Sequence, residues 1–274
     1  MKTTYRETQL PNGLRIAAEC APDAASTAVG LFVRTGARDE PRELMGVSHY
    51  LEHMMFKGSA TRPASEVNEA FDRIGARNNA FTSHEMTAYY AHVLPEYFGL
   101  SVSLVADLLR PALREDDFLQ EKKVILEEIA MYEDNPFWVV FEQVLERYFG
   151  CHPSGHRVLG TNESVGALTR DQMSDYFRTR YSPTNTVFPN RAGPTSARRR
   201  YRQRLRRLAR LTPGSGHRPP TSRVGPLWRS GPHPELRGRS GESRMVARSA
   251  SAVATANDRA SASDQRKNGA RGRT

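Results

Sequence analysis

Only two cysteines, Cys20 and Cys151, occur in 274 residues, which excludes a disulfide framework and favours a reducing compartment. No stretch reaches the ~18 apolar residues of a membrane span, and the start, MKTTYRETQLPNG, holds no apolar run long enough for a signal peptide. The expected location is therefore the cytoplasm, without membrane contact. No glycine-rich phosphate-binding loop is present. One end of the chain is nearly devoid of lysine and aromatics: residues 187–274 contain one Lys and only Phe188, Tyr201 and Trp228, against 20 Arg and 8 Pro. Charge divides at the same place. Residues 1–186 hold 19 Lys+Arg and 26 Asp+Glu, a balance of −7, whereas residues 187–274 hold 21 and 4, a balance of +17; together they give the +10 of the whole. Two polymers of different character are joined, and the first is long enough to bury a core.

Within residues 1–186, YRETQL and LRIAAEC flank Pro11-Asn12-Gly13, and an Asn-Gly pair between two such runs predicts a hairpin. STAVGLFVRTGA reads as a third strand ended by Gly36, and residues 46–57 as a helix stopped near Gly58. In PASEVNEAFDRIG, Val67, Ala70, Phe71 and Ile74 recur at helical spacing, with Gly75 just past the end. NNAFTS and TAYYAHVL, rich in Thr, Tyr and Phe, predict paired strands. Three helices follow: PEYFGLSVSLVADLLR before Pro111, EDDFLQEKKVILEEIAMYEDN before Pro136, and FWVVFEQVLERYFG. The last is apolar almost all round, which predicts burial. After the loop CHPSGHRVLGTNES, Thr169 and Gln172 form a capping-box pair opening another helix, and SPTNTV starts a further strand. This mixture predicts an α+β fold, a mostly antiparallel sheet packed by helices.

Two of the eight histidines lie in HYLEH, residues 49–53. At 100° per residue, His49, Glu52, His53 and Phe56 share one side of a helix, and Val47, Leu51, Met54 and Met55 the other. Two imidazoles one turn apart can bind a single tetrahedral Zn²⁺, with Glu52 near enough to take a proton from water. The same pattern arises by chance on solvated helices. The apolar far side argues against that, since it makes the helix a buried one. A third ligand is needed, and EKKVILEEIAMYED offers Glu121 and Glu128, seven apart and about 20° off one face beside Ile125 and Tyr132; Glu127 falls on a different face. A salt-bridged solvated face is the competing reading of these acids. Cys151, His152 and His156 are a weak second metal candidate in a Pro/Gly loop without an evident fourth ligand, and His84 and His92 read as structural histidines.

HYLEH has the H-x-x-E-H order of the inverzincins. GVSHYLEHMMFKGS, then NNAFTS and TAYY, EKKVILEEIAMYED, and HPSGHRVLGTNES with LTRDQMSDYFRTRYSPTN, resemble in that order the pitrilysin/insulinase family of zinc metallopeptidases. The likeness is greatest to bacterial members similar to mitochondrial processing peptidase, and it covers residues 1 to about 186, an N-terminal metallopeptidase domain. The resemblance implies a zinc endopeptidase with His49, His53 and Glu128 as ligands, Glu52 as general base and Glu121 supporting the ligand set. The 74 residues between His53 and Glu128 are close to the family's interval. It also implies that an extended peptide or unfolded protein adds to a strand edge at Asn79 and Ala80, which from sequence alone equally suit turn chemistry. Phe56 lines a pocket or packs in the core.

The resemblance further implies a second, similar domain or a partner subunit, which residues 187–274 do not resemble. Their Arg/Pro/Gly/Ser-rich composition predicts a largely disordered basic tail and suits a GC-rich gene read out of frame from about codon 187. RRRYRQRLRRLARL nevertheless sets Tyr201, Leu205, Leu208 and Leu211 on one stripe among arginines, which leaves open non-specific binding of nucleic acid through phosphates. A zinc- and peptide-binding fragment without turnover is the remaining alternative.

Overall fold

The computed structural model describes residues 3–60 and 62–192. The basic tail expected beyond them, with its stripe at 201–211, lies outside the described residues. Among the described residues six strands form one sheet: β1 (Thr4–Gln9), β2 (Arg15–Cys20), β3 (Thr27–Val33), β4 (Arg77–Thr82), β5 (Thr87–Val93) and β6 (Thr186–Ala192). Their spatial order is β1-β2-β6-β3-β5-β4. Every neighbouring pair is antiparallel except β2 with β6. The hairpin turn is where the Asn-Gly pair places it: Gly13 adopts φ +91° and the Asn12 side chain accepts the Leu14 N–H at 3.2 Å. Strand β6 starts at SPTNTV as expected but runs to Ala192, past the expected boundary at residue 186. Its slot between β2 and β3 pairs the backbone on both sides, and Phe188 is fully buried there.

Among the described residues seven α-helices accompany the sheet: α1 (Val47–Met55), α2 (Ala64–Arg73), α3 (Phe98–Leu108), α4 (Glu115–Glu133), α5 (Pro136–Phe149), α6 (Asn162–Ala167) and α7 (Arg170–Arg180). Helices α1 and α3 pack on strand β5, and α1 also on β4. The apolar side of α1 enters the core: Val47, Leu51, Met54 and Met55 join Leu31, Phe71, Val105, Ile125 and Met173 in one cluster. The capping box of α7 forms as the sequence predicts, Thr169 accepting the Gln172 N–H at 3.2 Å and Gln172 accepting the Thr169 N–H at 2.9 Å. Helix α6, in what reads as loop and its sequel, is started by a similar exchange between Thr161 and Ser164. None of the described helices is long and apolar enough to cross a membrane.

Helix α5 corrects the sequence reading. Expected to be buried, it has no buried residue; Phe137, Val140, Phe141, Val144 and Tyr148 are 69, 61, 43, 58 and 81% exposed. They form one stripe at helical spacing. Only the opposite side, with Trp138, Leu145 and Phe149, is half-buried, against α4 and the 3₁₀ turn Pro153–Gly155. Hydrophobicity all round a helix reports a capacity for burial, and nothing among the described residues covers this stripe.

Candidate metal centre

Helix α1 is fixed at its start by a buried carboxylate. Glu40 accepts the Gly46 and Ser48 N–H groups, each at 2.7 Å, which satisfies two donors that a helix N-terminus leaves unpaired. Burial pushes Glu40 up to about 8 even so, against the lowering effect of those N–H groups. The Ser48 hydroxyl meets Tyr176 Oη at 2.8 Å, and Tyr176 meets Thr35 at 2.7 Å. Gly46 (φ +95°) and Gly160 (φ +81°) let two backbones cross here: a Cβ on Gly46 would stand 2.5 Å from the Leu159 carbonyl, and one on Gly160 2.4 Å from that of Met45. Tyr50 stacks on Phe118 of α4 with centroids 4.8 Å apart and donates to its carbonyl. These contacts set the position of α1 against α4.

The consequence is a convergence of three ligand atoms. His49 Nε2 and His53 Nε2 each lie 3.7 Å from Glu128 Oε2. That is too long for a hydrogen bond, and near the ~3.4 Å that separates ligands around a tetrahedral zinc ion at usual bond lengths. Among the described residues these three are the one metal-type group of His, Cys, Asp and Glu. Burial, then the neighbouring His53, pushes His49 down to about 3, so the approach to Glu128 is that of a neutral imidazole and not an ion pair. Nδ1 of His49 is buried without a partner. For His53 burial acts downward too, but the hydrogen bond to Glu121 and the carboxylates of Glu52, Glu128 and Glu121 outweigh it and hold it above the ordinary value. Burial raises Glu128. A buried set of two imidazoles and one carboxylate aimed at a common point fits a divalent, nitrogen-preferring cation such as zinc.

The other expected residues fall around this point. Glu121 is buried on α4, its Oε1 2.9 Å from His53 Nδ1, and it is held by Lys57. Burial raises the Glu121 carboxyl, but the His53 and Lys57 contacts outweigh it and leave Glu121 below the ordinary value. Glu127 is exposed, as its displaced helical angle predicts. Glu52 is buried beside the ligands, and burial pushes it up to about 7. Thr82, at the end of β4, donates to Glu52 Oε2 at 2.5 Å. This residue was not singled out from sequence; the period of two in a strand, which puts Thr82 on the same side as Ala80, is the signal that could have found it. Strand β4 is the last of the sheet, and the Ala80 N–H donates to the Asn79 side chain at 2.9 Å. Phe56 is partly buried, its ring 6.2 Å from that of Tyr89.

The weaker candidates are engaged elsewhere. His84 Nε2 meets the His156 carbonyl at 3.1 Å, His92 Nε2 meets Ser26 at 2.7 Å, and His156 Nδ1 meets the Ala37 carbonyl at 3.1 Å. His152 Nδ1 accepts the Ser154 N–H at 3.2 Å, and Cys151 is exposed. A groove of about 650 Å³ lies away from the centre, lined by Tyr5, Ala17, Gly30, Phe32, Tyr90 and Pro189 among others. Its main ion pair, Arg191 with Glu19 at 3.5 Å, is a cross-strand contact on the sheet and offers no metal-binding set.

Residues 15–162, more than half of the chain, match the family described as insulinase, peptidase family M16. The chain belongs to that family. It is 44% identical over 181 residues to an uncharacterized zinc protease of Mycobacterium leprae, covering 66% of this chain and 41% of the relative. It is 41% identical over 177 residues to an uncharacterized zinc protease of Bacillus subtilis, covering 64% and 43%. A crystal structure of a protease from Helicobacter pylori shares the fold, with a TM-score of 0.75 at 22% identity over 80% of this chain and 53% of that one. The chain thus spans less than half the length of these two curated relatives.

Proposed function

We propose that the described residues are the metal-binding N-terminal domain of a zinc endopeptidase, with His49, His53 and Glu128 as ligands and Glu52 as general base. The observation that carries this reading is the meeting of two histidine Nε2 atoms at 3.7 Å from one Glu128 oxygen, beside a buried carboxylate. When bound, zinc lowers the pKa of a water molecule and polarises the scissile carbonyl as a Lewis acid. Glu52 takes the water proton on its carboxylate and later returns it to the leaving amine. Thr82 holds Glu52 Oε2, which keeps the base in one orientation. Glu121 binds His53 Nδ1 and leaves Nε2 as the ligand atom. An extended peptide or unfolded protein chain adds to the free edge of β4 at Asn79 and Ala80, its carbonyl replacing the Asn79 side chain on the Ala80 N–H. Both cysteines are free thiols, which suits the cytoplasmic setting of this reading.

The test uses the full 274-residue chain. Elemental analysis is expected to find one zinc per chain in the wild type and in Glu52→Gln, and none in His53→Ala. Hydrolysis of a quenched, unstructured peptide is expected of the wild type and abolished by Glu52→Gln. A Glu52→Gln protein that cleaves as fast as wild type, or a wild type that holds no zinc, sinks the assignment. One equivalent of zinc without turnover favours a second reading, in which the ligand set and the β4 edge bind zinc and peptide and a homologous domain or partner subunit is needed to close on substrate.

A further inference from the structure

We propose that Lys57 is a positioning residue of the metal centre, acting through Glu121 on His53. The inference rests on the zinc-peptidase reading above. The Lys57 ammonium pairs with Glu121 Oε2 while Glu121 Oε1 lies 2.9 Å from His53 Nδ1. The Glu121 side chain is only 7% exposed, so both carboxylate oxygens need donors from the protein. His53 Nδ1–H supplies one and Lys57 the other. With both oxygens engaged the carboxylate plane is fixed. A carboxylate oxygen at Nδ1 requires the proton there, which leaves the lone pair on Nε2, the atom directed at Glu128. Removing Lys57 leaves a buried oxygen unpaired, and the carboxylate can then rotate away from the imidazole.

Lys57 is itself held in place from two helices. It sits two residues past the end of α1, its N–H donating to the Met54 carbonyl at 3.1 Å. Its own carbonyl accepts from Arg114 at 3.2 Å, and Arg114 also donates to the Ser59 carbonyl at 2.7 Å. Arg114 immediately precedes α4, the helix that carries Glu121. Gly58, at φ +92°, makes the intervening turn, and its carbonyl accepts the Ala112 N–H at 3.0 Å. The exit of α1 and the entry of α4 are thus clamped together, with the lysine side chain spanning the remaining gap. An ordinary surface ion pair is worth little, but this one ends on a buried carboxylate that touches a ligand. His49 has no equivalent: its Nδ1 is unpartnered, and packing alone orients that ring.

The experiment measures zinc affinity of the full chain by competition with a chromophoric chelator, together with the visible spectrum of the Co²⁺ form and melting of the metal-free protein. Lys57→Met is expected to weaken zinc binding about 10-fold, within the range usual for a residue behind a ligand, and to shift the Co²⁺ bands. Lys57→Arg keeps a cation on Glu121 and is expected to restore both. Glu121→Gln is expected to cost about 10- to 100-fold, and the Lys57→Met/Glu121→Gln double variant no more than Glu121→Gln alone. Wild-type affinity in Lys57→Met, or costs that add in the double variant, overturns the proposal. So does a lower melting temperature of the metal-free protein with zinc affinity unchanged, since that is a packing role only. Should Lys57→Met not fold, Lys57→Gln is read in its place with the same expectations. A wild type that binds no zinc overturns the zinc-peptidase reading as well, whereas a zinc-binding wild type with an indifferent Lys57 overturns this inference alone.

Discussion

Helix α1 carries a polar side of Ser48, His49, Glu52 and His53 and α5 reads as apolar almost all round, yet α1 buries eight of its nine residues and α5 buries none of its fourteen. The eight include His49 and Glu52, polar groups that a core excludes unless they have partners. In α1 Thr82 partners Glu52 and Glu121 partners the neighbouring His53, whereas His49 is buried with Nδ1 unpartnered and Nε2 facing Glu128 at 3.7 Å, the ligand geometry of the site. Helix α5 presents Phe137, Val140, Phe141, Val144 and Tyr148 outward. The difference teaches that burial here follows position in the fold and not composition. α1 lies between the sheet and α4, whereas α5 packs on one side only.

The comparison breaks most readily at the centre of α1. Leu51→Ala removes a fully buried side chain from the core and is expected to lower stability by about 2–5 kcal/mol; a urea titration that finds less than half of this range denies α1 its place in the core. Next in size is the pH response of the carboxylate that caps the helix. Glu40 is raised from 4.5 to about 8, so the folded state binds its proton more tightly than the unfolded chain does. Its contribution is full below about pH 4.5 and is lost as pH rises through about 8. Metal-free wild type should therefore lose stability across that window, and Glu40→Gln should flatten the slope; an unchanged slope removes Glu40 as its source.

A smaller effect is expected at the start of α7, where Thr169→Ala removes one half of the capping box. The expected loss is about 0.5–2 kcal/mol by denaturant titration. The smallest belongs to α5: Phe141→Ser and Val144→Ser, both exposed, should change stability by no more than about 0.5 kcal/mol in a denaturant titration. Losses of several kcal/mol there would mean that α5 is a core helix after all.

Much of the site was legible in the order of residues. HYLEH places two histidines and a glutamate one turn apart on any helix, and Glu121 and Glu128 share a face by the same arithmetic. The hairpin at Asn12-Gly13 and the Thr169–Gln172 box formed as read because each is a local arrangement of a few residues. Thr82, Lys57 and Glu40 were not legible, since their partners lie 30, 64 and 6 to 8 residues away and are joined by tertiary contact. The extension of β6 to Ala192 also escaped, because its support is the slot between β2 and β3.

The sequence by itself determined the helical face that carries the ligands, the caps and turns that bound the elements, and the α+β class, because these depend on spacing and on short-range hydrogen bonding. Only the tertiary structure decided that α4 brings Glu128 to 3.7 Å from both His49 and His53, that Glu52 is buried while α5 is exposed, and that β4 keeps an open edge beside them. Those depend on which surfaces meet, and contact between distant segments is set by packing and not by the spacing of residues along the chain.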